Sequence, residues 1–240
     1  MMDSHHPPIH IDVSPTDVLR EQGADPQRVR TRRPALWALA ERAIAEGAPL
    51  LQPWWTWRTL AITARRHQTI TLAGGLRLRS PLVSQVLAGA NEAALIVCTI
   101  GPGVEALSAR WMDEDIAFAL ALDAYASTAV GALGRALNAD VQAQAAARGW
   151  RTGTAIGPGM RGWELAQGQR DLFAILQPDP QRLRLTESSL MLPRKSTSLL
   201  VGIGPQPEAG DPCQYCDLFE TCAYKHDFNA HAISGAASSQ

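Results

Sequence analysis

Cys213, Cys216 and Cys222 follow one another at C-x2-C-x5-C spacing, and His226 lies four residues beyond the last of them. That spacing lets three thiolates converge on one centre from a compact turn. Thiolates suit zinc and iron–sulfur clusters, and both require deprotonated sulfur. The fourth ligand stays open at this level. His226 would complete a local Cys3His set. Cys98 is the alternative, but it sits in an apolar run, where a lone cysteine behaves as a small hydrophobe. Zinc would clamp a short carboxyl-terminal cap. An iron–sulfur cluster would carry an electron.

Other chemistry-bearing residues are less well organised. His5, His6 and His10 lie in a polar terminus that does not pre-organise a metal site. Arg28, Arg30, Arg32 and Arg33 read as a solvated face. Trp54, Trp55 and Trp57 could stack on a flat ligand, but large anchors covering a core edge are the simpler reading. Gly101-Pro102-Gly103 reads as a plain turn rather than a phosphate loop. His67, Ser84 and Ser108 have no nucleophile elbow or partner spacing, so hydrolase chemistry finds no support.

Twenty-two basic and 23 acidic side chains in 240 residues give a net charge of −1. That argues against charge-driven binding to nucleic acid or an anionic membrane. With 46% hydrophobic and 19% charged residues, the chain can bury a core. The best apolar stretches, 93–100 and 116–122, fall short of the roughly 20 residues a bilayer needs. No secretory pattern opens the chain, so the expected compartment is the reducing cytoplasm, where clustered cysteines bind metal more often than they pair.

The elements that must position these residues follow from periodicity and punctuation. Residues 1–33 read as a flexible amino-terminal arm, 34–205 as one α+β domain, 206–226 as a cysteine-rich metal-binding cap and 227–240 as a flexible tail. A helix starts at Pro34 and ends at Gly47. Gly74-Gly75 turns a hairpin between 68–72 and 76–78, and Ser80-Pro81 starts a helix over 82–87. Residues 94–100 form a buried strand, and a helix follows Gly103. Residues 113–148 form a long helix with a break expected near Gly131 or Gly134. Its expected inner stripe is Ile116, Leu120, Asp123, Ala124, Val130, Leu133, Leu137 and Val141. Residues 152–163 read as an irregular loop, 169–176 as a helix, and 183–185 and 196–203 as strands.

Leu185-Thr-Glu-Ser-Ser-Leu-Met-Leu-Pro-Arg-Lys-Ser-Thr-Ser198 resembles a segment of the reactivation domain of cobalamin-dependent methionine synthase and its free-standing bacterial relatives. Gly157-Pro158-Gly159, Trp163-Glu-Leu165, Gln169 and Phe173 are similar to a second motif of the free-standing forms. Thr99-Ile-Gly101 and Leu122-Asp123-Ala124 fall in the expected order. The resemblance spans roughly residues 94–204. It implies an α+β fold with a curved, twisted antiparallel sheet flanked by helices. It also implies presentation of S-adenosylmethionine to a corrinoid whose cobalt has lapsed to Co(II), with one electron restoring Co(I) before methyl transfer.

The sequence departs from that family at the ligand. Ala155 and Met160 stand where the family has Arg and Tyr, and Gly131 stands where it has Glu. A zwitterionic tail needs charge-assisted partners, which these three residues do not supply. Arg151, Arg161 and Glu187 are the nearby charges that could substitute, and Arg194-Lys195 could meet a cobalamin phosphate or carboxylate. The expected function is therefore a reactivation-type accessory protein for a corrinoid-dependent methyltransferase. Its partners would be that corrinoid-carrying protein and an electron donor, and any catalysis would be reductive methylation of the corrinoid. The family context favours iron–sulfur over zinc, because corrinoid reduction needs a low-potential electron. The alternative is a non-catalytic binding module with a structural zinc and a lost S-adenosylmethionine pocket.

Overall fold

The computed structural model describes residues 9–217 and 219–220. Three helices open the chain, each with proline in its first turn: α1 (Pro15–Glu21), α2 (Pro26–Arg32) and α3 (Pro34–Gly47). Proline suits that place because its missing N–H would be unsatisfied anyway. Ser14 and Asp17 form a reciprocal capping box on α1, and Asp25 caps α2. Val18 and Leu19 are fully buried in the same core as α3. Residues 15–32, expected as a flexible arm, are therefore folded. Each helix is too short to show a period, and its burial depends on partners distant in sequence.

The strands follow as β1 (Trp54–Arg66), β2 (Thr69–Leu72) and β3 (Arg77–Arg79). Then come α4 (Pro81–Val86), β4 (Glu92–Thr99), α5 (Gly103–Trp111) and α6 (Ile116–Ala147). The chain continues through β5 (Arg151–Ile156), α7 (Leu165–Leu176), the β6 (Arg184–Leu185) and β7 (Met191–Leu192) hairpin, and β8 (Ser196–Gly204). Six strands form one sheet in the order β3-β2-β1-β4-β8-β5, and every pairing in it is antiparallel. β1 pairs with β4 through Trp54–Ala61 and with β2 from Ile62 onward, with a bulge between Ile62 and Ala64. A bulge bends its strand, and the sheet is curved.

Alternation along β4 divides the core. Ala94, Ile96 and Cys98 face α1, α3 and α6, whereas Ala93, Leu95 and Val97 face α4 and α7. Trp55 and Trp57 pack at the edge of the first layer and Trp54 at the edge of the second, which agrees with the anchor reading. Ser80 accepts from the Val83 N–H at 3.1 Å to start α4, as expected.

Three expectations about local structure fail. α6 runs unbroken through Gly131 and Gly134, because its packing on the sheet outweighs a glycine cost of about 1 kcal/mol each. Its inner stripe is also rotated at the start: Phe118, Ala121 and Leu122 are buried, while Ile116 and Leu120 are 61% and 51% exposed. Residues 152–156, expected as the start of an irregular loop, belong to the edge strand β5 on β8. α6 is long and apolar enough to cross a membrane, yet 56% of its apolar window is buried within the fold.

Candidate functional site

Lys195 is the residue on which separate parts of the chain converge. It lies immediately before β8, and its carbonyl accepts from the Ile100 N–H at 3.2 Å and the Thr99 hydroxyl at 3.3 Å. Its Nζ lies 2.9 Å from Asp123 Oδ1 and donates to Ser127 Oγ at 2.8 Å. Asp123 and Ser127 are four residues apart on α6 and so share a face. Arg194 turns the other way: its Nε meets Glu105 Oε1 at 2.6 Å, and its backbone N–H donates to Oε2 at 3.1 Å. The Glu105 carboxylate raises the Arg194 pKa further. Both members of the basic pair thus have partners on the helices beside them.

Gly131 and Gly134 continue along α6 from Ser127. A Cβ at Gly134 would lie 3.2 Å from Thr197 Cγ2, so α6 there packs closely on β8. At Gly131 an added Cβ would meet only Arg135 Nη1, at 3.4 Å. Ala155 is buried in the core layer that α6 occupies. Met160 packs against the other layer, and its sulfur lies 3.5 Å from the donating Gly157 N–H. Trp163 and Gln169, both part of the resemblance, are buried core residues. Neither Trp163 Nε1 nor Gln169 Oε1 has a hydrogen-bond partner among the described residues.

Arg161 belongs to a second surface, built by the carboxyl-terminal segment. After β8 the chain returns along the outer edge of β5. There the Thr154 N–H donates to the Glu208 carbonyl at 3.0 Å, and the Thr154 hydroxyl donates to Gly210 O at 3.1 Å. Asp211 then caps a 3₁₀ turn over Pro212–Tyr215, accepting from the Cys213 N–H at 2.9 Å. The Cys216 N–H donates to the Cys213 carbonyl at 3.1 Å. Cys216 follows that turn as its cap, in extended backbone. The Arg161 N–H donates to Tyr215 O at 2.8 Å, and its Nε meets Asp217 at 3.1 Å. Arg161 is thereby placed beside the cysteine pair, a neighbourhood that the sequence spacing did not reveal.

Glu187 is exposed in the β6–β7 turn. That hairpin is tied to α7 by Arg170, which donates to Ser189 Oγ at 3.0 Å. No hydrogen bond or ion pair joins Glu187 to Arg161 or Lys195 among the described residues. Glu187, Arg161 and Lys195 are therefore not brought into one group of contacts among the described residues.

Cys222 and His226 lie outside the described residues, as do His5, His6 and the 227–240 tail. Among the described residues, no three metal-ligating side chains are assembled. Cys98 is fully buried in the helix layer, whereas Tyr215, between the two other cysteines, packs against the opposite layer. Burial pushes the Cys98 thiol up to about 12, the reverse of what thiolate ligation needs. Cys98 is a core residue.

No family model matches the chain, and no curated protein matches it. Among solved structures it is similar to the MetH reactivation domain bound to AdoHcy, with a TM-score of 0.63 and 13% identity, covering 83% of this chain and 79% of that one. The fold is that of a MetH reactivation domain. On this fold, Thr99, Asp123 and Lys195, which belong to three separate stretches of the resemblance, meet at one end of α6.

Proposed function

We propose that the chain is a reactivation-type accessory protein for a corrinoid-dependent methyltransferase, working in the reducing cytoplasm. The observation that carries this reading is the meeting of Thr99, Asp123 and Lys195 on a MetH reactivation-domain fold. Ile116 and Leu120 stand exposed on the turns before Asp123, an apolar rim suited to contact with a corrinoid-carrying partner. Copurification of the full chain with such a methyltransferase, and loss of that association in Leu120→Glu, test the partner. No association with corrinoid-loaded protein would overturn the reading.

The cysteines add a metal centre to the proposal. Cys213 and Cys216 fit two corners of a thiolate site, and Cys222 with His226 would supply the rest. An iron–sulfur cluster bound there would supply one low-potential electron; a second partner would have to reload it. The residues themselves hold the site against the body of the fold through Arg161 and Thr154. Anaerobic purification followed by iron, sulfide and visible-absorbance measurements decides the metal. One zinc and no iron would remove the redox part.

A second reading has its own observation. Gly131 and Ala155 lie along α6 and in the core it packs on, and neither carries charge. That favours a binding module that has lost the S-adenosylmethionine pocket and keeps a structural zinc. Calorimetry with S-adenosylmethionine and S-adenosylhomocysteine separates the two: micromolar binding supports reactivation chemistry, and absence of heat supports the module.

A further inference from the structure

Between Gly47 and Asn91 the chain contains five arginines and not one Asp or Glu, although its overall charge is −1. Two of the five are structural. Arg58 donates to the Ile175 carbonyl at 2.9 Å, and Arg65 donates to the Ala90 carbonyl. The other three, Arg66, Arg77 and Arg79, have no ion pair or hydrogen bond among the described residues. All three are exposed and line one cleft of about 790 Å³.

The strand register explains why they meet. Ile70, Leu72 and Leu78 turn into the layer covered by α4 and α7, so their neighbours in sequence face the other way. Arg66 pairs with Thr69, and Thr69 with Arg79; one step along, Ala64 pairs with Thr71, and Thr71 with Arg77. Two parallel rows result, each with a half-buried threonine in its centre and arginine at its rim. With strands about 4.8 Å apart, Arg66 and Arg79 are roughly 10 Å apart at the backbone, and Arg77 and Arg79 roughly 7 Å. Side chains of that length can close on one ligand between them. The His67-Gln68 turn closes one end of the cleft.

We propose that this face binds a compound carrying at least two adjacent phosphate groups. Guanidinium forks match phosphate oxygens bidentately, and threonine hydroxyls on the floor add neutral donors. A single phosphate would engage only part of the triad. The volume is that of a small-ligand site, which typically falls at about 300–1,000 Å³. Nucleic acid is a poorer fit, since among the described residues no Trp, Tyr or Phe lines the cleft to stack successive bases and His67 is its single aromatic ring. The cleft lies on the β1–β3 end of the sheet, whereas β8 and β5, which carry the surfaces described above, lie at the other. The proposal therefore stands apart from the corrinoid reading.

The test is calorimetry of the full chain with inorganic pyrophosphate, tripolyphosphate and orthophosphate at about 150 mM salt, where diffuse attraction is screened beyond about 8 Å. Saturable pyrophosphate binding is expected, with orthophosphate at least about tenfold weaker. Arg77→Gln and Arg79→Gln should each weaken pyrophosphate by about tenfold, while Arg182→Gln, an exposed charge elsewhere, should change nothing. In the unaltered chain, pyrophosphate should protect arginines from phenylglyoxal, a readout that does not depend on a variant folding. No saturable binding, or equal losses in all three variants, would overturn the proposal. So would binding of an acidic polypeptide that pyrophosphate fails to displace.

Discussion

Lys195 Nζ lies 2.9 Å from Asp123 Oδ1, and this ion pair joins the start of β8 to α6. The Lys195 side chain is only 15% exposed, whereas that of Asp123 is 46% exposed. The two partners should therefore respond differently to loss of the other. An ammonium short of water depends on its acceptors, while a half-exposed carboxylate can be rehydrated.

Asp123→Ala should cost about 2–3 kcal/mol, because it leaves a largely buried cation with Ser127 as its remaining side-chain acceptor among the described residues. Lys195→Met should cost less, about 1 kcal/mol, since the methionine retains the apolar stem. Urea denaturation of both variants and the double variant measures this. Equal and near-zero costs would show that the pair does not hold β8 against α6.

Gly131 and Gly134 should diverge. Gly131→Glu places a carboxylate four residues before Arg135 in open space, removing a helix penalty of about 1 kcal/mol and adding about 0.3 kcal/mol from the pair. The melting temperature should rise by about 2–4 °C. Gly134→Ala should yield less or turn negative, since its Cβ would press on Thr197 at 3.2 Å. Thermal melts followed by circular dichroism distinguish the two.

The cysteines should separate into two classes. Cys213→Ser, Cys216→Ser and Cys222→Ser should each abolish stoichiometric metal, whereas Cys98→Val should retain it. Alkylation of metal-free protein at pH 8 should leave Cys98 unmodified until denaturant is added, because it is fully buried. Mass spectrometry of the alkylated peptides reads the result. Prompt modification of Cys98 in the folded chain would contradict its place in the core.

Stability should fall in alkali. Burial raises the Cys98 thiol from 9.0 to about 12 and the Tyr125 phenol from 10.0 to about 12. A group whose folded pKa is raised favours the fold fully below its unfolded pKa and loses that contribution as pH climbs toward the folded value. Between pH 9 and 10, Cys98 is the first of the two to act, with a limiting slope of about 1.4 kcal/mol per pH unit. Urea midpoints between pH 8 and 10.5 should decline, and Cys98→Val should flatten the first part of that decline. An unchanged profile in the variant would assign the fall to other groups.

Much of the fold was legible because it rests on local signals. Gly74-Gly75 announced its hairpin, Ser80-Pro81 its helix start, and the apolar runs at 94–100 and 196–203 their central strands. Other parts depended on distant partners. Val18 and Leu19 have no reason to be buried until α6 and α3 lie over them. β5, with Gly153 and Ala155 in its middle, pairs as a strand because β8 lies on one side and Glu208 on the other. Ile116 and Leu120 fit a helical period but face outward, since α6 carries buried alanines almost all round and the period alone does not select its inner face.

What the sequence alone determined about this protein is a set of residue types and intervals. These are thiols at metal-binding spacing, an ordered series of motifs from 94 to 204, and missing charge at 131, 155 and 160. The tertiary structure decided which of them meet. It joined Lys195 to Asp123, set Arg161 beside Cys213 and Cys216, consigned Cys98 to the opposite core layer, and raised three arginines without an ion pair among the described residues on one sheet face. The reason is physical. Backbone propensity and spacing act over a few residues, whereas strand register and helix docking, which set the side each residue faces, are fixed by contacts between segments far apart in the chain.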